Sequence, residues 1–413
     1  MEEQRPLPVL SSEHQQEETD EMASLVYKVW NKQGTSNRST AAFNIINSII
    51  GSGIIGLPYA LRQAGFPLGI LLLLFVGYIT DYSIILLIKG GNLAGTNSYQ
   101  ALVNKTYGYI GYLILSVLQF LYPFIAMISY NIITGDTLTK VFQRIPGVDQ
   151  DNLLIGRHVI ILCVTIIFTL PLSLYRNISK LGKVSFISLI LTVVIVVVGI
   201  IRAITFSSQV PETENAWVFA KPNAVQAIGV MSFAFICHHN SFLIYDSLKE
   251  PTLSNWTRIT HVSVSFAVFV SLVFATCGYV TFRGYTEGDI FENFCRDDDL
   301  ATFGRFCYGI TVILTFPLEC FVTREGVLSA TPLVFILPAA CYLKLSEERW
   351  AHPDNLLSGL ILGVGMLVMI VGFVMTVLHP QECSHGKEMP YCFLGNSSLY
   401  NNTFPYSQPT RQP

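Results

Sequence analysis

TAAFNIINSIIGSGIIGLPYALR, residues Thr40 to Arg62, decides how this chain reads. At about 1.5 Å per residue its uncharged part spans roughly 33 Å, the thickness of one hydrocarbon core. Inside it sit Gly51, Ser52, Gly53, Gly56 and Pro58, residues that loosen or break helical hydrogen bonding where no water can replace it. Such a break is tolerated only where it faces protein or a wet cavity. Unwinding near Gly51 to Gly53 would free carbonyls from one half-helix and amides from the next, with Pro58 suited to the first turn of the second. Freed carbonyls can hold a cation, and freed amides, those of Ser52, Gly53 and Ile54, a carboxylate. The competing reading is a packing face, because Ser48, Ser52 and Gly56 recur every four residues. That reading leaves Gly51, Gly53 and Pro58 without a purpose.

Outward from this stretch, composition sets the class. The 413 residues are 51% hydrophobic and only 13% charged, the usage of a polytopic membrane protein. A net charge of -3 with scattered basic residues excludes a nucleic-acid binder. The nine cysteines lack metal spacing. Cys295, Cys383 and Cys392 lie in polar stretches and permit at most one internal disulfide, provided those stretches face an oxidising side. Residues 1–36, acidic and polar, are expected to form a disordered cytoplasmic tail, 37–380 the transmembrane domain, and 381–413 a polar carboxyl-terminal tail.

Apolar runs give about ten spans by a window of roughly 20 residues. After the broken first come Phe66 to Ile88, Tyr109 to about Thr134, His158 to Tyr175, Val184 to about Ile204 and Ala224 to Leu248. His261 to Phe282, Phe303 to about Val322, Gly326 to Leu343 and Leu356 to Leu378 follow. Lysine and arginine fall mainly in loops that share a side with the amino terminus, which places that terminus in the cytoplasm and the acidic loop after the seventh span outside. The sixth span, AVQAIGVMSFAFICHHNSFLIYDSL, is again interrupted, here by His238, His239, Asn240 and Ser241. An odd number of crossings separates the two broken spans, so they run antiparallel. Paired broken spans in two halves point to a transporter built from inverted repeats. No catalytic arrangement competes, so the chain reads as no enzyme. The adjacent His238 and His239 lack metal spacing, and GSGIIGLP lacks the GKS or GKT ending of a phosphate loop.

FNIINSIIGSGIIGLPYAL, FAFICHHNSFLIYDSL, LTFPLECFVTRE and ATPLVFILPAACYLKLSEE together resemble the sodium-coupled neutral amino acid transporters of the amino acid/auxin permease superfamily. The likeness covers about residues 36 to 380. It implies an all-α, five-plus-five inverted-repeat (LeuT-like) fold, small neutral amino acids as substrates, and a sodium ion between the first and eighth spans. Asn47 is then a sodium-site oxygen donor, and Thr315, or else Thr311, supplies a hydroxyl. For each, an ordinary hydrogen bond between or within helices is the alternative. The substrate carboxylate would meet the amides near Gly51, Ser52, Gly53 and Ile54, and its ammonium the carbonyls of Phe233, Ala234, Phe235 and Ile236.

No cofactor beyond the coupling ion is implied. One sodium ion falling down a tenfold gradient gives about 1.4 kcal/mol and ~100 mV adds ~2.3, enough to concentrate a neutral solute several hundred-fold. Three groups are candidates for coupling or pH response. Asp81 and Glu319 are intramembrane acids, and His239 is of the residue type that commonly serves as a pH switch. Asp81 could instead sit at the inner interface, and Glu319 pair with Arg324.

The chain departs from that family in one place. CFVTRE runs directly into GVLSATPLVFILPAACYL where relatives place a further loop and span, as in a shortened splice form. One scaffold helix fewer leaves about ten crossings and predicts poor or absent transport. A non-transporting amino acid sensor or assembly subunit, and a proton-coupled carrier, are the other readings. Ten crossings would return the carboxyl tail to the cytoplasm, yet that tail holds glycosylation sequons at Asn396 and Asn401, which suit the outside. Either the tail is inside or one late segment fails to span. The plasma membrane or an endolysosomal membrane is the expected location.

Overall fold

The computed structural model describes residues 36–144, 156–174, 178–325, 336–346, 348, 352–378 and 389–393. In chain order its helices are α1 Arg38–Gly53, α2 Leu57–Ala64, α3 Phe66–Ala94, α4 Tyr99–Phe142, α5 Arg157–Val164, α6 Leu170–Ser173 and α7 Ile178–Thr205. α8 Ala224–Ala234, α9 His238–Asp246, α10 Leu253–Phe282, α11 Asp299–Glu325, α12 Leu337–Leu345 and α13 Pro353–Leu378 complete the set. In a medium without hydrogen-bonding solvent a helix satisfies its own backbone, which is why these apolar runs take this form. Among the described residues five helical stretches are long and apolar enough to cross a membrane, and the bent pair α1–α2 makes a sixth. Large apolar side chains such as Leu71, Ile110, Ile167, Ile204 and Leu367 are exposed, as a lipid-facing exterior requires.

The third span starts earlier than expected. Ser98 caps α4 by accepting the Ala101 amide at 3.1 Å, and Gly108, at φ 70 and ψ -166, kinks the helix where the apolar run begins. Only glycine takes that conformation without strain.

Both broken spans are present, the first at the expected glycines and the second displaced. The first bends by 42° between Arg38–Gly51 and Ile54–Ala64, with helical backbone kept through Gly53 and a 3-10 turn at Ile54–Gly56. A 3-10 turn keeps backbone groups bonded where unwinding would strand them. In the sixth span the break is Phe235 to Cys237, between α8 and α9, and His238 to Ser241 form the first turn of α9.

The two spans are antiparallel. At one end, called here the near end, Ser36 forms a parallel bridge with Leu248 just after α9. At the far end Lys221 N donates to Ala64 O at 2.8 Å, and Asn223 Nδ2 to Gln63 Oε1 at 2.8 Å.

The tail lies at the far end. A disulfide joins Cys392 to Cys295 in the loop between α10 and α11. Beside it Tyr391 packs on Phe206, Phe282 and Tyr285, and its hydroxyl donates to Asn293 O at 2.6 Å. α11 leaves this same end, where Arg144 meets Asp299 at 2.9 Å. α13 starts from the near end, where Asp354 pairs with Lys89 at 2.7 Å. Of the two alternatives the sequence left open, a tail beside the amino terminus or a late segment that fails to span, the disulfide at the far end agrees with the second. The expected span Gly326 to Leu343 lies largely outside the described residues, and the part described, α12, ends near Tyr107, with Lys344 Nζ 4.6 Å from that ring. An apolar run does not reveal whether it crosses or returns; a covalent tether does.

Candidate functional site

The breaks of the two spans meet. A Cβ placed on Gly53 would lie 2.3 Å from Ala234 Cα, so the end of α1 touches the end of α8 backbone to backbone. A Cβ on Gly51 would lie 2.7 Å from the hydroxyl and methyl of Thr315 on α11. The glycines thus permit two close approaches, one to the sixth span and one to the eighth. Gly51, Gly53 and Ile54 are gathered with Ala234, Phe235 and Ile236 in one buried place. Ser52 and Phe233 share its backbone. The carbonyls near this break are partly used: Phe235 N donates to Met231 O at 3.0 Å and Ile236 N to Phe233 O at 3.4 Å.

Beside this junction runs a buried polar chain. Asn47 Oδ1 stands 3.3 Å from Thr315 Oγ1, and Thr315 Oγ1 lies 2.8 Å from Thr311 O. A hydroxyl has one proton, and the shorter contact claims it. Two oxygens then face each other with lone pairs and no hydrogen between them, an arrangement suited to a hard cation. Thr311 contributes its carbonyl only, because its own hydroxyl donates to Cys307 O at 3.0 Å. On its other side Asn47 Nδ2 donates to Ser185 Oγ at 3.4 Å, and Ser185 Oγ donates to Asn44 Oδ1 at 2.9 Å. Asn240 Nδ2 donates to Ser48 Oγ at 2.9 Å, which ties α9 to the same face of α1.

Sequence reasoning found Asn47 and Thr315 and missed Asn44 and Ser185. A signal was present: Asn44, Asn47 and Ser48 share a helical face, as do Ser185 and Ser188.

The remaining candidates are placed elsewhere. Asp81 Oδ2 is 2.7 Å from His261 Nδ1, a pair with the histidine exposed and away from Asn47. His239 packs against Tyr122 with ring centroids 5.1 Å apart and the rings tilted by 56°. Its neighbour His238 shares a 2.7 Å hydrogen bond with Ser83. Glu319 lies within α11, its side chain outside the described ones, and Asn396 and Asn401 fall outside the described residues.

Over the far end of this junction lies the loop after α10. Arg62 donates to Thr286 O at 2.8 Å, and Lys140 pairs with Glu292 at 2.6 Å. Burial, with the neighbouring Glu292 charge, pushes the Asp289 carboxyl from 3.8 up to about 6, against the opposing pull of Lys140 and Arg305. The folded pKa lies above the unfolded one, so the native state holds this proton more tightly. Stability contributed by the protonated form is present below about pH 4 and is lost as pH rises through about 6, a deficit of about 3 kcal/mol. Asp289→Asn is therefore expected to raise the apparent Tm at about pH 7.5 and to change it little at about pH 4.5, read by thermal unfolding of the purified protein.

Residues 34–327 match the family described as "Transmembrane amino acid transporter protein". A Bos taurus protein named "Putative sodium-coupled neutral amino acid transporter 11" is 58% identical over 441 aligned positions, covering 96% of this chain and 95% of its own. Those positions outnumber the 413 residues here, so the relative carries residues this chain lacks. A Homo sapiens protein of the same name is 58% identical, with 85% and 98% covered. "Vacuolar amino acid transporter 2" of Saccharomyces cerevisiae is 33% identical over 71% of this chain and 62% of its own.

Proposed function

Because the chain belongs to the transmembrane amino acid transporter family, and so to membrane carriers and not to enzymes, we propose that it couples sodium to the symport of small neutral amino acids by alternating access. The observation that carries this reading is the facing pair Asn47 Oδ1 and Thr315 Oγ1, 3.3 Å apart, buried, and without a proton to share. A neutral amide and hydroxyl hold a cation yet let it leave. Close by, the abutting breaks of the first and sixth spans offer helix-end amides for a carboxylate and helix-end carbonyls for an ammonium. The name of the Bos taurus relative supports the same coupling. The far end, with its disulfide, faces the oxidising side, the exterior of the cell or the lumen of an endolysosomal compartment. The sequons at Asn396 and Asn401 follow that tether in sequence and suit the same side.

The test is uptake of labelled glutamine, alanine and serine into proteoliposomes holding the purified chain, with sodium or choline outside. Accumulation is expected to be weak in this shortened chain, yet higher in sodium than in choline, with at least a ~10-fold loss of the sodium-dependent part in Asn47→Ala, as follows when a coordinating oxygen is removed from a buried site. Equal uptake in choline would overturn sodium coupling.

One observation favours a second reading, a non-transporting sensor or assembly subunit. The family match ends at 327, where the sequence analysis places the lost span. Binding of amino acid without counterflow would select it.

A further inference from the structure

We propose that Ser185 and Asn44 determine which end of the Asn47 amide faces Thr315, and so act as positioning residues for the cation. The inference rests on the sodium-coupled reading above.

The argument is one of proton ordering along a chain of four side chains. Ser185 has a single hydroxyl proton and gives it to Asn44 Oδ1 at 2.9 Å. Towards Asn47 it can then only accept, and it takes the Nδ2 hydrogen at 3.4 Å. With its nitrogen held on Ser185, the planar amide must turn its oxygen to Thr315. The reverse ordering uses the same links. Asn44 Nδ2, which is buried and has no partner in the ordering observed, would donate to Ser185. Ser185 would donate to Asn47 Oδ1, and Asn47 Nδ2 would then donate to Thr315 Oγ1. That second ordering exchanges which end of the Asn44 amide is bonded and ends in an N–H where the cation would sit.

Asn44, Asn47, Ser185 and Thr315 are all at most 3% exposed, so water does not substitute for any link. They come from α1, α7 and α11, and the same four side chains that orient the amide also join three spans. A bound cation requires the first ordering. Weakening the grip of Ser185 lets the second ordering compete with the ion.

The experiment is a titration of sodium chloride against choline chloride at constant total salt, read as the rise in apparent Tm of the purified full chain, which requires no transport. For the unaltered chain a saturable rise is expected. Ser185→Ala should move its midpoint roughly five- to tenfold higher, with the sodium-free Tm little changed, and Ser185→Thr should restore the midpoint. Asn44→Ala removes the acceptor of Ser185, turns its proton to Asn47 and gives the same displacement. Asn44→Asp keeps an acceptor and keeps the sodium response. The double variant Ser185→Ala/Asn44→Ala should be no worse than either single one, because both break one ordering. Should Ser185→Ala fail to remain monodisperse, the two Asn44 variants make the comparison alone. An unchanged midpoint in Ser185→Ala or Asn44→Ala, with the response lost in Asn47→Ala, overturns the positioning role and leaves sodium coupling standing. A flat titration of the unaltered chain overturns the coupling itself.

Discussion

Gly53→Ala is expected to destabilise the protein by about 1–3 kcal/mol, because the added methyl has no space to enter. Its carbon would fall 2.3 Å from Ala234 Cα and 2.5 Å from Ala234 Cβ. The obstacle is the backbone of a neighbouring helix, not the end of a flexible side chain, so α1 and α8 must move apart. Amino acid binding should fall with stability, since the gap opens at the junction of the two breaks. Gly56→Ala is the matched control. There the nearest atoms would be Val230 Cγ1 at 3.5 Å and Gly288 O at 3.6 Å, ordinary contact distances. Thermal unfolding of the two variants side by side checks the expectation. Equal Tm values for Gly53→Ala and the parent would show that the spans separate without cost.

Cys392→Ser should have the second large effect. The bond it removes closes a sequence separation of 97 residues, and a tether of that length is worth about 2–4 kcal/mol where native geometry is unstrained. Losing it also releases Tyr391 from the ring cluster of Phe206, Phe282 and Tyr285 and frees the loop that Asn293 organises. Asn293 holds that loop through Glu287 N at 2.8 Å and Tyr285 O at 2.7 Å. A reducing agent should lower the Tm of the parent to that of Cys392→Ser and leave the variant unchanged. A parent indifferent to reduction would remove the tether from the account.

Several of these features were legible in the sequence for physical reasons. Glycine and proline crowded into an apolar run mark a broken span, and Gly51, Gly53 and Pro58 lie within two residues of a boundary of α1 or α2. The break in the sixth span was misread by three residues. Polar His238 to Ser241 look like an interruption, whereas the true one, Phe235 to Cys237, is wholly apolar. Those polar residues are helical, and their burial is matched by partners on other spans, His238 on Ser83 and Asn240 on Ser48. Partners 155 and 192 positions away leave no local pattern. Ser185 shares a face with Ser188, but two small polar residues in an apolar run also read as packing until the neighbour across the interface is known. The cysteine pairing and the side of the tail share one cause. Three polar cysteines allow three pairs, and the count of apolar runs set against the sequons left the side of the tail open.

The two ends of the molecule are fastened unequally. At the near end the broken spans are joined by Ser36 N on Ser247 O at 2.9 Å, Lys249 N on Ser36 O at 3.2 Å, and an exposed ion pair of Arg38 with Glu250 at 3.7 Å, while the Lys89–Asp354 pair there joins α3 to α13. At the far end stand the disulfide, the half-buried Arg62 to Thr286 bond and the Lys140–Glu292 pair, whose side chains are at most 17% exposed. Exposed ion pairs contribute little and a few edge hydrogen bonds yield readily, whereas a covalent loop and a shielded pair do not. For a device that must unlatch its ends in turn, the near side is the door that swings and the far side the one that sticks. On the proposed reading, turnover is paced by reopening towards the disulfide side after cargo has left, an asymmetry of rates that leaves net direction to the gradients.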